Sequence, residues 1–273
     1  MDDLALLRLQ MEWGVDEALD ADPVNRLRAP PPLSPSARPP AAPAGGGADV
    51  GASVIRYAPA QSPGMVRRPP GERARELAEA AETLEALRNA ISGFDGCALR
   101  DTASNLVFAE GNPGAAMILI GEAPGADEDR TGRPFAGEEG ELLDRMLASI
   151  KLTRDEFLLT PLIPWRPPGG RAPYPPELAA CLPFLQRLIA LTRPSRLLVL
   201  GTLAARTLMP ARGRRPKPAP EWEACSVSGL AQPVPALVLP SLPTLIRTPA
   251  TKREAWTALQ FLQRTLADNP TNM

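Results

Sequence analysis

The densest chemistry in this chain sits at the end of one apolar run. Ile118-Leu119-Ile120 leads into Gly121-Glu122-Ala123-Pro124-Gly125, which sets a single carboxylate between two glycines. Glycine lets the backbone approach a ligand closely, so Glu122 is a candidate site residue. Taken alone, the same five residues also describe an ordinary strand-to-helix turn. Other reactive groups are few. The 273 residues include no histidine, which removes the commonest general base and metal ligand. Cys97, Cys181 and Cys225 are too few, and odd in number, for a disulfide framework, and they suit a reducing compartment. Arg212, Arg214 and Arg215 lie in a basic, proline-rich loop that could contact phosphate or simply be solvated.

The elements that would position these groups follow from apolar spacing. Ala115–Ile120 reads as a buried strand that stops at glycine, Phe157–Ile163 as a second, Arg196–Leu200 as a third and Ala236–Leu239 as a fourth. Between them lie helices over Glu139–Ile150, from Pro175 to the residues before Pro194, over Thr202–Met209 and over Lys252–Leu266. Ahead of them, Leu77, Ala81, Leu84, Leu87 and Ile91 share one face of a single helix that Gly93 ends. Alternating strands and helices predict an α/β fold of three layers, α/β/α, around a mostly parallel, four-stranded sheet. The loops after the first, second and fourth strands should then line one site beyond the carboxyl ends of the strands.

Composition bounds the rest. Twelve of the 34 prolines fall between Pro23 and Pro70, among Gly, Ala and Ser, so residues 21–70 read as a disordered linker. Leu4, Leu7, Met11, Val15 and Leu19 recur at helical spacing, which predicts an amphipathic helix within residues 1–20. Residues 71–273 form the folded domain. No apolar run approaches the roughly 20 residues that span a bilayer, and Met1-Asp2-Asp3 lacks the basic flank of a secretory signal. The expectation is a soluble, cytoplasmic monomer with no membrane partner. Net charge is −1, so composition neither favours nor excludes nucleic acid.

After Gly125 the chain continues Ala126-Asp127-Glu128-Asp129-Arg130-Thr131-Gly132-Arg133-Pro134-Phe135-Ala136-Gly137. This run resembles the signature of the family-four, iron–sulfur uracil-DNA glycosylases, a GEAPG loop followed by GRPF-x-G. Further likenesses occur in the same order: Phe108-Ala109-Glu110-Gly111-Asn112-Pro113, Arg166-Pro167-Pro168-Gly169-Gly170-Arg171, Arg193-Pro194 with Leu200-Gly201, and Arg247-Thr248-Pro249 with Lys252. The resemblance covers about residues 94–266. It implies a uracil-DNA glycosylase-like repair enzyme, which rotates a base out of the stack at a cost of roughly a few kcal/mol and hydrolyses its N-glycosidic bond. Glu122 would sit beside the sugar and the attacking water. Phe135 would stack on the flipped base. The loop backbone at Gly121, Ala123, Pro124 and Gly125 would help read the base edge. Arg166, Arg171 and Arg247 join Arg212, Arg214 and Arg215 as candidate DNA contacts.

The departures from the family pattern fall on functional positions. Four cysteines hold the family's four-iron cluster. Here Cys97 and Cys181 match two of them, whereas Phe94 and Trp165 replace the others. No cofactor or metal is therefore expected, and the two large rings are expected to pack where the cluster would be. The family's base-reading asparagine aligns with Pro161 and its histidine with Ser241, a single hydroxyl in place of an imidazole. Three readings follow: a glycosylase acting on uracil or another damaged base, a catalytically degenerate module that binds DNA, and a repair-complex partner recruited through residues 2–20.

Overall fold

A computed structural model describes residues 69–210 and 219–268. The expected N-terminal helix, the linker through residue 68 and the loop carrying Arg212, Arg214 and Arg215 lie outside these residues. In chain order the helices are α1 (Pro70–Ala80), α2 (Leu84–Gly93), α3 (Leu99–Thr102), α4 (Ala126–Thr131), α5 (Gly137–Ser149), α6 (Pro175–Thr192), α7 (Thr202–Leu208), α8 (Leu242–Arg247) and α9 (Lys252–Asp268). The strands are β1 (Glu110–Gly111), β2 (Met117–Gly121), β3 (Phe157–Pro161), β4 (Arg196–Leu200), β5 (Glu223–Cys225) and β6 (Val234–Leu239).

One sheet runs β1-β3-β2-β4-β6-β5. Its four inner strands pair in parallel, with Leu119 opposite Leu159 on one side and Leu198 on the other. Every residue of β2, β3 and β4 is buried, as expected for strands covered on both faces. Alternation then divides the core. Ile118, Ile120, Leu158, Leu197 and Val199 face one layer with Leu87 and Ile91 of α2 and Phe184 and Leu188 of α6. Met117, Leu119, Phe157, Leu159, Leu198 and Leu200 face the other, with Leu143 and Leu147 of α5 and Leu259 and Leu262 of α9. Helices thus cover both faces of the sheet, as the three-layer expectation requires.

Two expectations change. Among the described residues the sheet has six strands, because short antiparallel edges, β1 on β3 and β5 on β6, extend the parallel centre. Two or three residues are too few to show a strand period in sequence. The single helix expected from Leu77 to Ile91 is two helices. Ala81 is extended, and Thr83 starts α2 by accepting the Ala86 N–H on its hydroxyl at 3.1 Å. Leu77, 38% exposed, therefore does not share the buried face of Leu87 and Ile91. Among the described residues no helix is long and apolar enough to cross a membrane.

Leu119, 1% exposed on the central strand, touches the layer that carries the site's helices. Leu119→Ala is expected to cost roughly 2–5 kcal/mol, read as a lower midpoint in equilibrium denaturant unfolding.

Candidate active site

All four parallel strands end on the same side, and their following loops enclose a cleft of about 510 Å³. The loop after β2 supplies Gly121, Glu122, Ala123, Pro124 and Gly125; β3 ends in Pro161; Leu203 follows β4; Ser241 and Arg247 follow β6. Phe135, Glu128, Glu139 and Arg171 complete the named groups on its wall. Sequence reasoning had assigned this role to the loops after the first, second and fourth strands. The third joins them.

Glu122 is held by that third loop. Its carboxylate accepts the Leu203 N–H at 2.9 Å and also the Ala204 N–H. Gly201, at φ +99°, makes the contact possible, since a Cβ there would lie 2.2 Å from the Glu122 carboxylate oxygen. Burial pushes the carboxyl above its usual range, while the two N–H groups and the Arg247 charge act against that shift. The result is a fixed carboxylate facing a cavity, with its orientation set before any ligand arrives.

Phe135 is fixed by different means. Its backbone adopts φ +53°, a left-handed conformation that is unfavourable for an aromatic residue. Glu128 accepts the Phe135 N–H at 2.5 Å with one oxygen and the Gly125 N–H at 2.6 Å with the other. Arg154 donates to the Phe135 carbonyl at 2.9 Å. Gly140 passes so close that a Cβ would sit 1.9 Å from that carbonyl oxygen. The ring thereby lies against the backbone of Gly121, where a Cβ would approach within 2.9 Å. Asp129 secures the other side of α4 by accepting the Ser104 N–H at 2.8 Å. The acidic run Asp127–Asp129 thus includes two carboxylates that act as structural latches.

The remaining candidates separate. Ser241 is buried at the start of α8, and its hydroxyl shares a 2.8 Å hydrogen bond with the Thr244 hydroxyl. Pro161 lies opposite Gly121 across the β2–β3 register. Arg171 reaches the cleft but is committed to Glu177 through two bonds of 2.9 and 2.6 Å, and stacks over Tyr174. Arg247 is exposed on the rim. Arg166 is not among the lining residues, and its buried Nε has no partner within the described residues.

Glu139 was missed by sequence reasoning, which placed it only at the start of a helix. Burial and the acidic neighbours Glu128, Glu122 and Glu138 push its carboxyl up to about 7, with the Arg247 charge acting against them.

Phe94, Cys97, Trp165 and Cys181 share one buried cluster away from the cleft. Cys181 donates to the Cys97 sulfur at 3.9 Å, and both thiols are free. That contact lowers the Cys97 thiol and raises that of Cys181. Phe94 packs edge-on against Phe184 with ring centroids 5.2 Å apart. Two thiols and two aromatic rings without ligating atoms are not the donor set of a four-iron cluster. No group of three or more metal-ligating side chains occurs among the described residues.

The carboxyl edge of this sheet thus brings an anchored carboxylate, Glu122, and an aromatic wall, Phe135, together in one cleft. The profile of the Uracil DNA glycosylase superfamily matches residues 108–260, and the chain belongs to that superfamily. It is 39% identical over 132 residues to the type-4 uracil-DNA glycosylase of Pyrobaculum aerophilum, an alignment covering 48% of this chain and 67% of that protein. It is 40% identical over 124 residues to the type-4 enzyme of Archaeoglobus fulgidus, covering 45% and 62%. The enzyme of Thermotoga maritima is 35% identical over 123 residues, covering 45% and 64%. The chain thus spans about two thirds of the length of these relatives.

The Glu139 shift has a consequence for stability. Between the ordinary carboxyl value and about 7 the folded state binds more protons than the unfolded state, so stability falls as pH rises through that window. Glu139→Gln removes this loss. The variant's Tm should exceed that of the unaltered protein at pH 8 by more than it does at pH 5, measured by calorimetry.

Proposed function

We propose that this protein hydrolyses the N-glycosidic bond of uracil, or of another damaged base, in DNA. The observation that carries the reading is Glu122, whose carboxylate is fixed by the Leu203 and Ala204 N–H groups and opens onto the same cleft as the Phe135 ring. The relatives' name gives the class of substrate, and the cleft's chemistry suits the reaction. As the bond to the base stretches, the sugar gains positive charge and the base gains negative charge. The Glu122 carboxylate would oppose the first and orient the attacking water. The Phe135 ring and the loop backbone from Gly121 through Gly125 would receive the base after it leaves the stack.

The DNA strand would lie across the rim at Arg247 and Arg171, with Arg166 and the loop of Arg212, Arg214 and Arg215 as further phosphate contacts. The protein would work as a cytoplasmic monomer without an iron–sulfur cluster, and residues 2–20 would serve a repair partner. A second reading, a DNA-binding module without turnover, is favoured by one observation: Pro161 and Ser241 offer the cleft no amide and no imidazole.

The test is incubation of the full chain with a uracil-containing single strand under single-turnover conditions, followed by alkaline cleavage of abasic sites. Scission is expected, and Glu122→Ala should lower its rate by roughly 10²–10³. No scission at enzyme excess, with salt-dependent retention on DNA, would establish the binding module instead. The purified protein should be folded, colourless and free of iron; a brown protein that loses its fold on iron removal would overturn the cofactor reading.

A further inference from the structure

The cleft contains a carboxyl group that its own architecture leaves unused. Both oxygens of Glu128 hold backbone N–H groups, and Glu122 is bound to Leu203 and Ala204. Glu139 differs: among the described residues its carboxylate accepts no hydrogen bond and forms no ion pair. It stands in the first turn of α5, four residues after Phe135, and lines the cleft beside the base-reading loop. A Cβ on Gly125 would lie 3.9 Å from its Oε1.

We propose that Glu139 is the base-reading side chain of this cleft, selecting bases that carry a lactam edge, an N–H beside a C=O. The proposal rests on the glycosylase reading and deepens it by naming the substrate class. A neutral carboxyl group presents one acceptor and one donor side by side, the same pair that a carboxamide presents. It therefore supplies what Pro161 and Ser241 do not. Uracil offers N3–H and O4, and hypoxanthine offers N1–H and O6; in either case the carbonyl oxygen of Glu139 accepts from the ring N–H and its O–H donates to the ring carbonyl. The second bond strengthens as the departing base becomes anionic, because its acceptor gains charge. An ionised Glu139 would instead set a carboxylate oxygen against the base carbonyl.

Burial is the chief reason that Glu139 stays neutral. Glu128 of α4, Glu122 of the loop after β2 and Glu138 of its own helix also disfavour its ionisation, and among the described residues Arg247 of α8 is the cation that opposes them, so the proton remains to about pH 7.

The experiment measures recognition apart from turnover. A single strand holding 2′-fluoro-2′-deoxyuridine, whose glycosidic bond resists cleavage, is bound to the full chain from pH 6 to 8.5. Each Kd is divided by that of the same strand with a tetrahydrofuran abasic analogue, which has no base edge and corrects for phosphate binding. The preference for the uracil strand should fall roughly thirtyfold across this range, as the neutral fraction of a carboxyl held at about 7 declines. Glu139→Gln, which keeps donor and acceptor but cannot ionise, should abolish the pH dependence. Glu139→Ala should remove the preference at every pH. A preference with the same pH profile in the unaltered protein and in Glu139→Gln, or no preference at any pH, overturns the proposal. Excision of ordinary deoxyuridine is measured in parallel: a preference that becomes pH-independent in Glu139→Gln and is lost in Glu139→Ala, but without excision, supports Glu139 as the reader and defeats only the hydrolytic reading of the cleft.

Discussion

The site depends on one buried carboxyl group. Glu128 is 8% exposed and bridges two backbone N–H groups, that of Gly125 at the end of the glutamate loop and that of Phe135 in the aromatic turn. Burying a carboxyl group is unfavourable, and here burial raises it above its usual range. The two short N–H bonds offset that cost because charge-assisted hydrogen bonds are among the stronger ones. Their product is geometric. The loop and the ring, separated by ten positions in the chain, become one wall, and Phe135 is kept in a left-handed backbone that costs roughly 1–2 kcal/mol in a residue other than glycine. Arg154 and the bare Cα of Gly140 complete the hold from the carbonyl side.

Around this clamp the titratable groups of the cleft are carboxyls, since the chain has no histidine. Glu122, Glu128 and Glu139 face the same small volume, with Arg247 as the cation common to Glu122 and Glu139. Their environments separate their roles. Glu128 is tied to the backbone at both oxygens, Glu122 to the turn after β4, and Glu139 to nothing among the described residues. Crowded carboxyl groups resist ionising together, which keeps a proton in the cleft near neutral pH. The two cysteines stand apart from these carboxyls, since Phe94 and Trp165 pack with Cys97 and Cys181 in one buried cluster.

The inner strands were legible in sequence because each is an apolar run ending at glycine, proline or a polar turn. Gly121 and Phe135 were legible because their motif is specific. The break between α1 and α2 was not, since Ala81 and Leu84 continue a helical period across a Thr83 cap that only the folded backbone reveals. Glu128 appeared as one acid in an acidic run, and its function lies in bonds to residues before and after it. Glu139 carried no sequence signal at all. What distinguishes it is the proximity of Gly125, Glu122 and Arg247, contributed by the loop after β2 and by α8. Arg171 adds a constraint the motif did not show: its guanidinium reaches the cleft wall while paired with Glu177.

Glu128 joins two distant segments into one wall of the cleft, and Glu128→Gln removes that joint. Glutamine preserves size but turns one acceptor into a donor, which cannot take an N–H bond. In this variant, single-turnover excision of uracil from a single strand should drop on the order of tenfold or more, the scale of one lost charge-assisted hydrogen bond, while circular dichroism shows the fold retained. Excision at the unaltered rate in a folded Glu128→Gln protein would contradict it.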